Sequence, residues 1–537
     1  MLFAENIHRV EFVLLLLLLL AAAFTTLARR FQTPYPIVLV IAGLLLSFVP
    51  GLPQVSLNPN VVLLILLPPL LFAAATNTAW RDFRFHLVSI LMLAFGLVGF
   101  TVVGVGVVSD WLLPGFDWRI GLVLGSVICT TDAIAATSIA SRVGLPRRII
   151  DVLEGESLVN DASGLLALEF AVALVTTGER PTVAAGILQI LYLLGGGIAV
   201  GFIVAWIAQF AQKHVSDAPV EITISLVVPY LAYLSAEQVH ASGALAVVVC
   251  GIYLGRVNSE VYTTQARLEG IGVWNTLDFV LNGTVFIVIG LQLRTILADI
   301  RSMSHMQLIR DAAIVSVLTI GLRLLWMYPG SAIAYLIRRY ILKQNVSRPR
   351  AKVVFIIGWT GMRGVLALAA AISLPQTLDD GSPFPERDVI IFLTFCVILV
   401  TLVLQGLTLP MLIRKLGLAQ EEMRPAEEQE ARRLMLTAAL AYLANLQKVE
   451  STELLSVRED ITRHYQQRLS SLNQDKSDEG ISLYTEMKHS RWLNNELRRV
   501  ERATLQQLYA DDKINDSVLR GLERELDLLD ARFERRS

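Results

Sequence analysis

Apolar residues run along this chain in blocks of roughly 20, separated by short polar stretches, and that block length is the length of a membrane-crossing helix. Hydropathy predicts about thirteen spans, at approximately 11–28, 34–50, 58–76, 87–109, 120–141, 151–177, 184–211, 221–239, 242–256, 272–293, 312–337, 353–374 and 388–413. The division near residue 240 is the least marked, because "YLSAEQVHASGALAV" offers a polar break and little room for a loop. Short alternating strands, the mark of a membrane β-barrel, are not the pattern here. From about residue 415 the pattern changes. "EEQEARRLMLTAALAYLANLQ" places apolar residues at three- and four-residue steps, as an amphipathic helix does. "MKHSRWLNNELRRVERATLQQLYADD" and "SVLRGLERELDLLDARFERR" look alike. Residues 1–415 are therefore expected to form a transmembrane domain. Residues 416–537 are expected to form a helical tail, either regulatory or simply solvated.

Composition agrees with this division. The chain of 537 residues is 54% hydrophobic and 17% charged, against roughly 25% charged in a soluble domain. That excludes a soluble enzyme. A net charge of -1 points to no nucleic-acid partner. Cys129, Cys250 and Cys396 all fall in predicted spans, which argues against a disulfide framework. The start, "EFVLLLLLLLAAAF", lacks a clear small-residue cleavage pattern and reads as a first span.

Charge between spans sets an expected orientation. Arg29, Arg30, Arg81, Arg84, Arg142, Arg147, Arg148, Lys213, Arg256 and Arg267 fall on one side, with Arg338, Arg339, Lys343, Arg348, Arg350, Lys352, Arg414 and Lys415. The other side carries Arg119, Arg180, Arg294, Arg301, Arg310 and Arg387. The positive-inside rule makes the first side cytoplasmic. An odd span count then puts the N-terminus outside and the tail inside. A bacterial inner membrane suits the short loops and the lack of secretory disulfides.

Two spans carry features unsuited to continuous helices. The fifth has Thr130, Thr131 and Asp132 at its centre; the twelfth has "GWTGMRG", with Gly358, Gly361, Arg363 and Gly364. Clustered Gly weakens a helix by about 1 kcal/mol each. Irregular backbone at membrane depth is tolerated where it lines a cavity or is buried in protein. If six spans repeat after a linking seventh, the fifth matches the twelfth, and paired interrupted helices mark a transporter site. Glycines alone could instead serve close helix packing.

The candidate chemistry lies in buried carboxylates. Asp132 and Asp161 stand inside apolar spans, where an acid usually serves an ion or a proton. Ser157 and Asp161 are four residues apart and share a helix face. Hydroxyl and carboxylate oxygens are hard ligands that suit a hard cation such as Na⁺. An acid that can hold either a proton or a cation makes the two compete, which is the minimal chemistry of an antiporter. Glu156, offset by five residues, needs a cationic partner if buried; Arg323 and Arg363 are the candidates. Glu169 and Asp278 are buried ionisables without an assigned place. Pro68 and Pro69 are expected to kink the third span.

These residues resemble the sodium/proton exchangers of the monovalent cation/proton antiporter-1 family. The matching pieces are "LLPPLLF", "TTDAIA", "GESLVNDASG", "GLRLLWMYP" and "GMRGVLALAAAISLP", in the family's order over roughly residues 10–415. Ala133 stands where the family commonly has Pro. The resemblance implies an all-α polytopic membrane fold of inverted repeats, with core and dimerisation parts. It implies a homodimer working by elevator-like alternating access, with no cofactor beyond the transported ions. Carried over by motif, Asp161 is the ion and proton carrier, and Ser157 and the Thr131 backbone are Na⁺ ligands. Asp132 and Asn160 shape the site, Glu156 pairs with Arg323, and Arg363 compensates half-helix dipoles in the broken twelfth span. The Asn160–Asp161 order looks like the electroneutral branch, exchanging one Na⁺ (or Li⁺) for one H⁺ in pH and sodium homeostasis. A K⁺/H⁺ or mixed-cation antiporter is the nearest alternative. A cation channel would need a carbonyl filter or an acidic ring, and a symporter would need a larger polar pocket.

Overall fold

The computed structural model describes residues 2–30, 33–49, 62–78, 80–176, 183–300, 304–378, 381–418 and 426–445, with a few single positions beyond. It divides into two compact units, Met1–Glu421 and Glu422–Ser537. Among the described residues the only pairing of extended backbone is one isolated bridge, Thr377 with Pro383. The described residues are otherwise helices and the turns and loops that join them.

The first unit begins with α1 (Leu2–Arg30), α2 (Tyr35–Ser47), α3 (Val62–Asn77) and α4 (Trp80–Leu112). Then come α5 (Trp118–Ile128), α6 (Ala133–Arg142), α7 (Arg147–Thr176), α8 (Val183–Lys213) and α9 (Ala218–Gln238). The rest are α10 (Gly243–Val261), α11 (Thr264–Asp299), α12 (His305–Leu336), α13 (Ala351–Trp359), α14 (Val365–Ile372) and α15 (Arg387–Lys415). Among the described residues, six helices are long and apolar enough to cross a bilayer by length and composition alone: Trp80–Leu112, Arg148–Thr176, Leu188–Lys213, Ala218–Gln238, Thr264–Leu297 and Arg387–Lys415. Other apolar helices are shorter.

The polar break near 240 is a tight turn. His240 takes positive φ, and the Ser242 side chain caps α10 by accepting from the Leu245 N–H. In α3, Pro68 and Pro69 lie in the first α-helical turn, just after a π-helical stretch, Val62–Leu66. A proline has no N–H to bond the preceding turn, so the expected mid-span irregularity falls here, with π-helical turns leading into the two prolines.

Helices approach closely through small residues. A Cβ on Gly43 of α2 would lie 2.2 Å from the Ile287 carbonyl of α11, and one on Gly290 of α11 would lie 2.3 Å from the Val40 carbonyl. α2 and α11 thus touch backbone to backbone. α4 contains a π-helical stretch, Met92–Leu97. Such a bulge strands carbonyls, and here side chains on other helices satisfy two of them. The Trp326 indole of α12 donates to Met92 O at 3.2 Å, and the Ser163 hydroxyl of α7 to Ala94 O at 2.5 Å.

In the second unit, α16 (Ala426–Asn445) has Leu436 buried and Leu434 and Met435 exposed. Apart from Glu501 and Thr504, the two later helical stretches expected in the tail lie outside the described residues.

Candidate ion-binding site

α5 ends at Ile128 and α6 begins at Ala133, with Thr130–Asp132 non-helical between them. α13 ends at Trp359 and α14 begins at Val365, with residues 361–364 non-helical. The two interruptions touch: the Asp132 N–H donates to Met362 O at 2.8 Å. A Cβ on Gly364 would lie 2.6 Å from the Asp132 side chain, so only Gly lets the two segments sit this close.

Each interruption leaves carbonyls at a helix C-terminus, where partial negative charge collects. An arginine meets each one. Arg323 of α12 donates through Nε to Gly358 O at 3.0 Å and through Nη2 to Ile357 O at 3.2 Å, capping α13. Arg363 donates through Nη1 to Cys129 O at 2.8 Å and Thr130 O at 3.0 Å, capping α5. The sequence reading assigned Arg363 to its own span. Its side chain instead serves the other interruption, because the crossing brings the carbonyl end of α5 within its reach. The Arg363 N–H donates to the Thr401 hydroxyl of α15 at 3.1 Å. Thr401 was not singled out from sequence, since one buried Thr in an apolar run carries no signal.

Arg323 also makes a two-pronged ion pair with Glu156, Nη1–Oε1 at 2.5 Å and Nη2–Oε2 at 2.9 Å. Both residues are 1% exposed. The Thr131 hydroxyl donates to Glu156 Oε1 at 3.1 Å, and Asn160 Nδ2 donates to the Thr131 oxygen at 2.5 Å. Asn160 Oδ1 is buried and receives no hydrogen bond. A chain of contacts therefore links α12, α7 and the first interruption. Gly164 of α7 completes the seat: a Cβ there would lie 2.3 Å from Thr130 Cγ2.

Asp161, 7% exposed, lines a cavity of about 430 Å³ together with Thr131, Asp132, Ser157 and Gly364. Glu154 and Ile150 line it further along α7. The cavity thus runs roughly 16 Å along that helix towards Arg147, the end that adjoins the basic loops. Its far wall includes Asp278 and Asn282 of α11, joined by an Asn282 Nδ2 to Asp278 Oδ1 hydrogen bond of 2.9 Å. Asp278 thereby gains a place that sequence reading did not give it. Its four-residue spacing from Asn282 was a usable sign, as was the seven-residue spacing of Glu154 and Asp161. Glu169 lies elsewhere and is exposed, not buried as its apolar span suggests, on a cavity of about 460 Å³ shared with Glu237 and His240. That cavity starts at Ala162 and extends along the opposite half of α7.

A buried carboxylate beside hydroxyl oxygens, set where two interrupted helices cross, defines a helical membrane transporter for small cations. The chain belongs to the monovalent cation/proton antiporter family: the family model described as "Sodium/hydrogen exchanger, transmembrane" matches residues 15–415. Among its relatives, the sodium, potassium, lithium and rubidium/H⁺ antiporter of Bacillus pumilus is 32% identical over 493 residues, covering 90% of this chain and 72% of the relative. The Na⁺/H⁺ antiporter ApNhaP of Aphanothece halophytica is 33% identical over 416 residues, covering 77% and 75%. The solved sodium proton antiporter MjNhaP1 of Methanocaldococcus jannaschii matches the fold with a TM-score of 0.61 at 20% identity, over 78% of this chain and 100% of that one. The family consists of transporters, and its cation/proton antiport is the activity these relatives share by name.

Proposed function

We propose that this protein exchanges Na⁺ or Li⁺ for H⁺ across a bacterial inner membrane by alternating access, with Asp161 as the shared carrier. One observation carries the reading: both buried arginines near Asp161 are committed elsewhere. Arg323 is taken by Glu156 and the α13 carbonyls, and Arg363 by the α5 carbonyls. Among the described residues no ion pair reaches Asp161. A buried acid in that position needs a proton or a metal cation to neutralise it. It alternates between them because they compete for the same oxygens.

Ser157 and Thr131 supply further oxygen for Na⁺, and Asp132 and Asn160 set the walls. Glu156, Arg323 and Arg363 hold the frame. One carboxylate trading one H⁺ for one Na⁺ moves no net charge, which is the electroneutral mode. The positive-inside rule makes the cavity towards Arg147 cytoplasmic, with the N-terminus outside and the tail inside. Residues 1–415 then hold core and dimerisation parts of a homodimer, and residues 416–537 are a cytoplasmic helical tail, either regulatory or simply solvated. Exchange of this kind serves pH and sodium homeostasis.

A second reading, K⁺ or mixed-cation exchange, is favoured by the Bacillus pumilus relative, whose name includes potassium and rubidium. The test is cation-induced proton flux in proteoliposomes under Na⁺, Li⁺ and K⁺, comparing wild type with Asp161→Asn. A Na⁺ or Li⁺ response that vanishes in the variant supports the reading. A K⁺ preference changes the substrate and keeps the mechanism. Undiminished exchange by Asp161→Asn would falsify the single-carrier scheme.

A further inference from the structure

A second cavity, of about 200 Å³, lies between α4, α7, α12 and α13, away from the ion site. Its walls are mostly apolar, including Leu93, Val152, Met327 and Val354, while Arg148, Arg338 and His86 stand at its polar end. Arg338 lies in a π-helical turn, Ile337–Ile341, that continues α12. It is only 8% exposed. Its Nε donates to Gln344 Oε1 at 2.9 Å, and its guanidinium carbon sits 4.4 Å from the centre of the Phe85 ring. Its Nη2 is buried and has no hydrogen-bond partner.

A buried N–H without an acceptor is costly, because that N–H gave up water and gained no bond in exchange. Among the described residues no carboxylate forms an ion pair with Arg338 or Arg148. The acids along the same stretches are Asp82, one turn before His86, and Asp151, three residues after Arg148, and neither lines the cavity. The cavity therefore has a cationic mouth and an apolar body. That combination fits an anion carrying hydrocarbon better than a free ion, which would leave the apolar walls unused. The nearby surface of α12 and its continuation is apolar and open, with Leu336 at 50%, Tyr340 at 71% and Ile341 at 72% exposure.

We propose that this cleft binds an anionic phospholipid, with Arg338 and Arg148 on the headgroup phosphate, one acyl chain against the apolar walls of the cleft and the other along the exposed face of α12. Arginine suits phosphate oxygens because its N–H groups form a fork. Basic pockets between helices at the cytoplasmic side of a membrane protein recognise such headgroups. The leaflet follows from the orientation proposed above; the binding chemistry does not depend on it.

The test is native mass spectrometry of the purified full-length protein in detergent, offered phosphatidylglycerol or phosphatidylcholine. The expected result is retained phosphatidylglycerol in preference to phosphatidylcholine. Retention should weaken about tenfold in both Arg338→Gln and Arg148→Gln and stay unchanged in Arg339→Gln, an exposed neighbour on the same turn. Arg148 is itself exposed, so its variant keeps the question open to test if Arg338→Gln misfolds. Equal retention of both lipids, or retention indifferent to either arginine, overturns the proposal. Thermal stabilisation by inorganic phosphate equal to that by the lipid, with displacement of the lipid, overturns it in favour of a soluble anion. Lipid retention is read without any transport, so a failure of the exchange reading leaves this outcome unaffected.

Discussion

The Arg363 guanidinium donates to the Cys129 carbonyl at 2.8 Å across 234 positions of sequence. One helix interruption thus supplies the charge that the other requires. Removing the side chain in Arg363→Ala orphans the Cys129 and Thr130 carbonyls in a buried site. Orphaned buried acceptors cost about 1–3 kcal/mol each. The expected outcome is a thermal unfolding midpoint well below wild type, with exchange lost. A midpoint equal to wild type would mean that the α5 carbonyls do not need the charge.

Arg323 and Glu156 should respond unequally. Breaking a buried ion pair costs about 3–5 kcal/mol, because one charge is left alone. Glu156→Gln leaves Arg323 still capping α13, whereas Arg323→Gln strands Glu156 and the Ile357 and Gly358 carbonyls together. Arg323→Gln should be the more destabilising single change. The double variant should be more stable than the sum of the two singles indicates. Additive effects in denaturation of the four proteins would contradict a direct pairing.

Gly364→Ala isolates the crossing. Gly364 has φ -127° and ψ -162°, extended backbone that Ala adopts freely, so any effect comes from space alone. The added methyl would meet Asp132 Cβ and Oδ2 at 2.6 Å. Exchange should fall at least tenfold while the protein still folds and purifies as a single species. Proteoliposome flux with full activity would show that the crossing tolerates displacement.

Glu386 gives a pH-dependent stability. It lies just before α15, with left-handed backbone at φ 51°, and its carboxylate packs over Gly115. Burial pushes its carboxyl above the usual value of 4.5. The stability contributed by the protonated form is fully present below pH 4.5 and is lost as pH rises through the raised folded value. Glu386→Gln cannot ionise and escapes that loss. Its unfolding midpoint relative to wild type should therefore climb between acid and neutral pH. A difference that is flat with pH, or that falls, would remove Glu386 from the account.

Sequence made the local part of the site readable. Ser157, Asn160 and Asp161 could be placed together because the helical period acts over a few residues. The interruptions could be suspected because Gly and polar residues at their centres are poor helix material. What lay hidden depends on distant packing. Nothing near Thr131 announces that Asn160, 29 positions on, donates to its hydroxyl. Nothing in "GMRG" says that its arginine reaches α5 instead of its own helix. The π-helical stretch of α4 was equally hidden, since it is stabilised by Ser163 and Trp326 from other helices. Hydropathy reported span length and composition but could not report which carbonyls a span leaves open.

The two arginine caps carry a mechanical consequence. Arg323, Arg363, Glu156 and Thr131 fasten α5, α7, α12 and α13 together through buried polar bonds, and Thr401 adds α15. Bending between these helices would expose charge to an apolar medium, so the assembly resists hinging from within. α2 and α11 are separately locked, backbone against backbone, at Gly43 and Gly290. Between the two assemblies lies the cavity that Asp161 lines together with Asp278 and Asn282. A stroke that carried Asp161 to the other face would slide one stiff piece along the other, and the load would fall along that cavity.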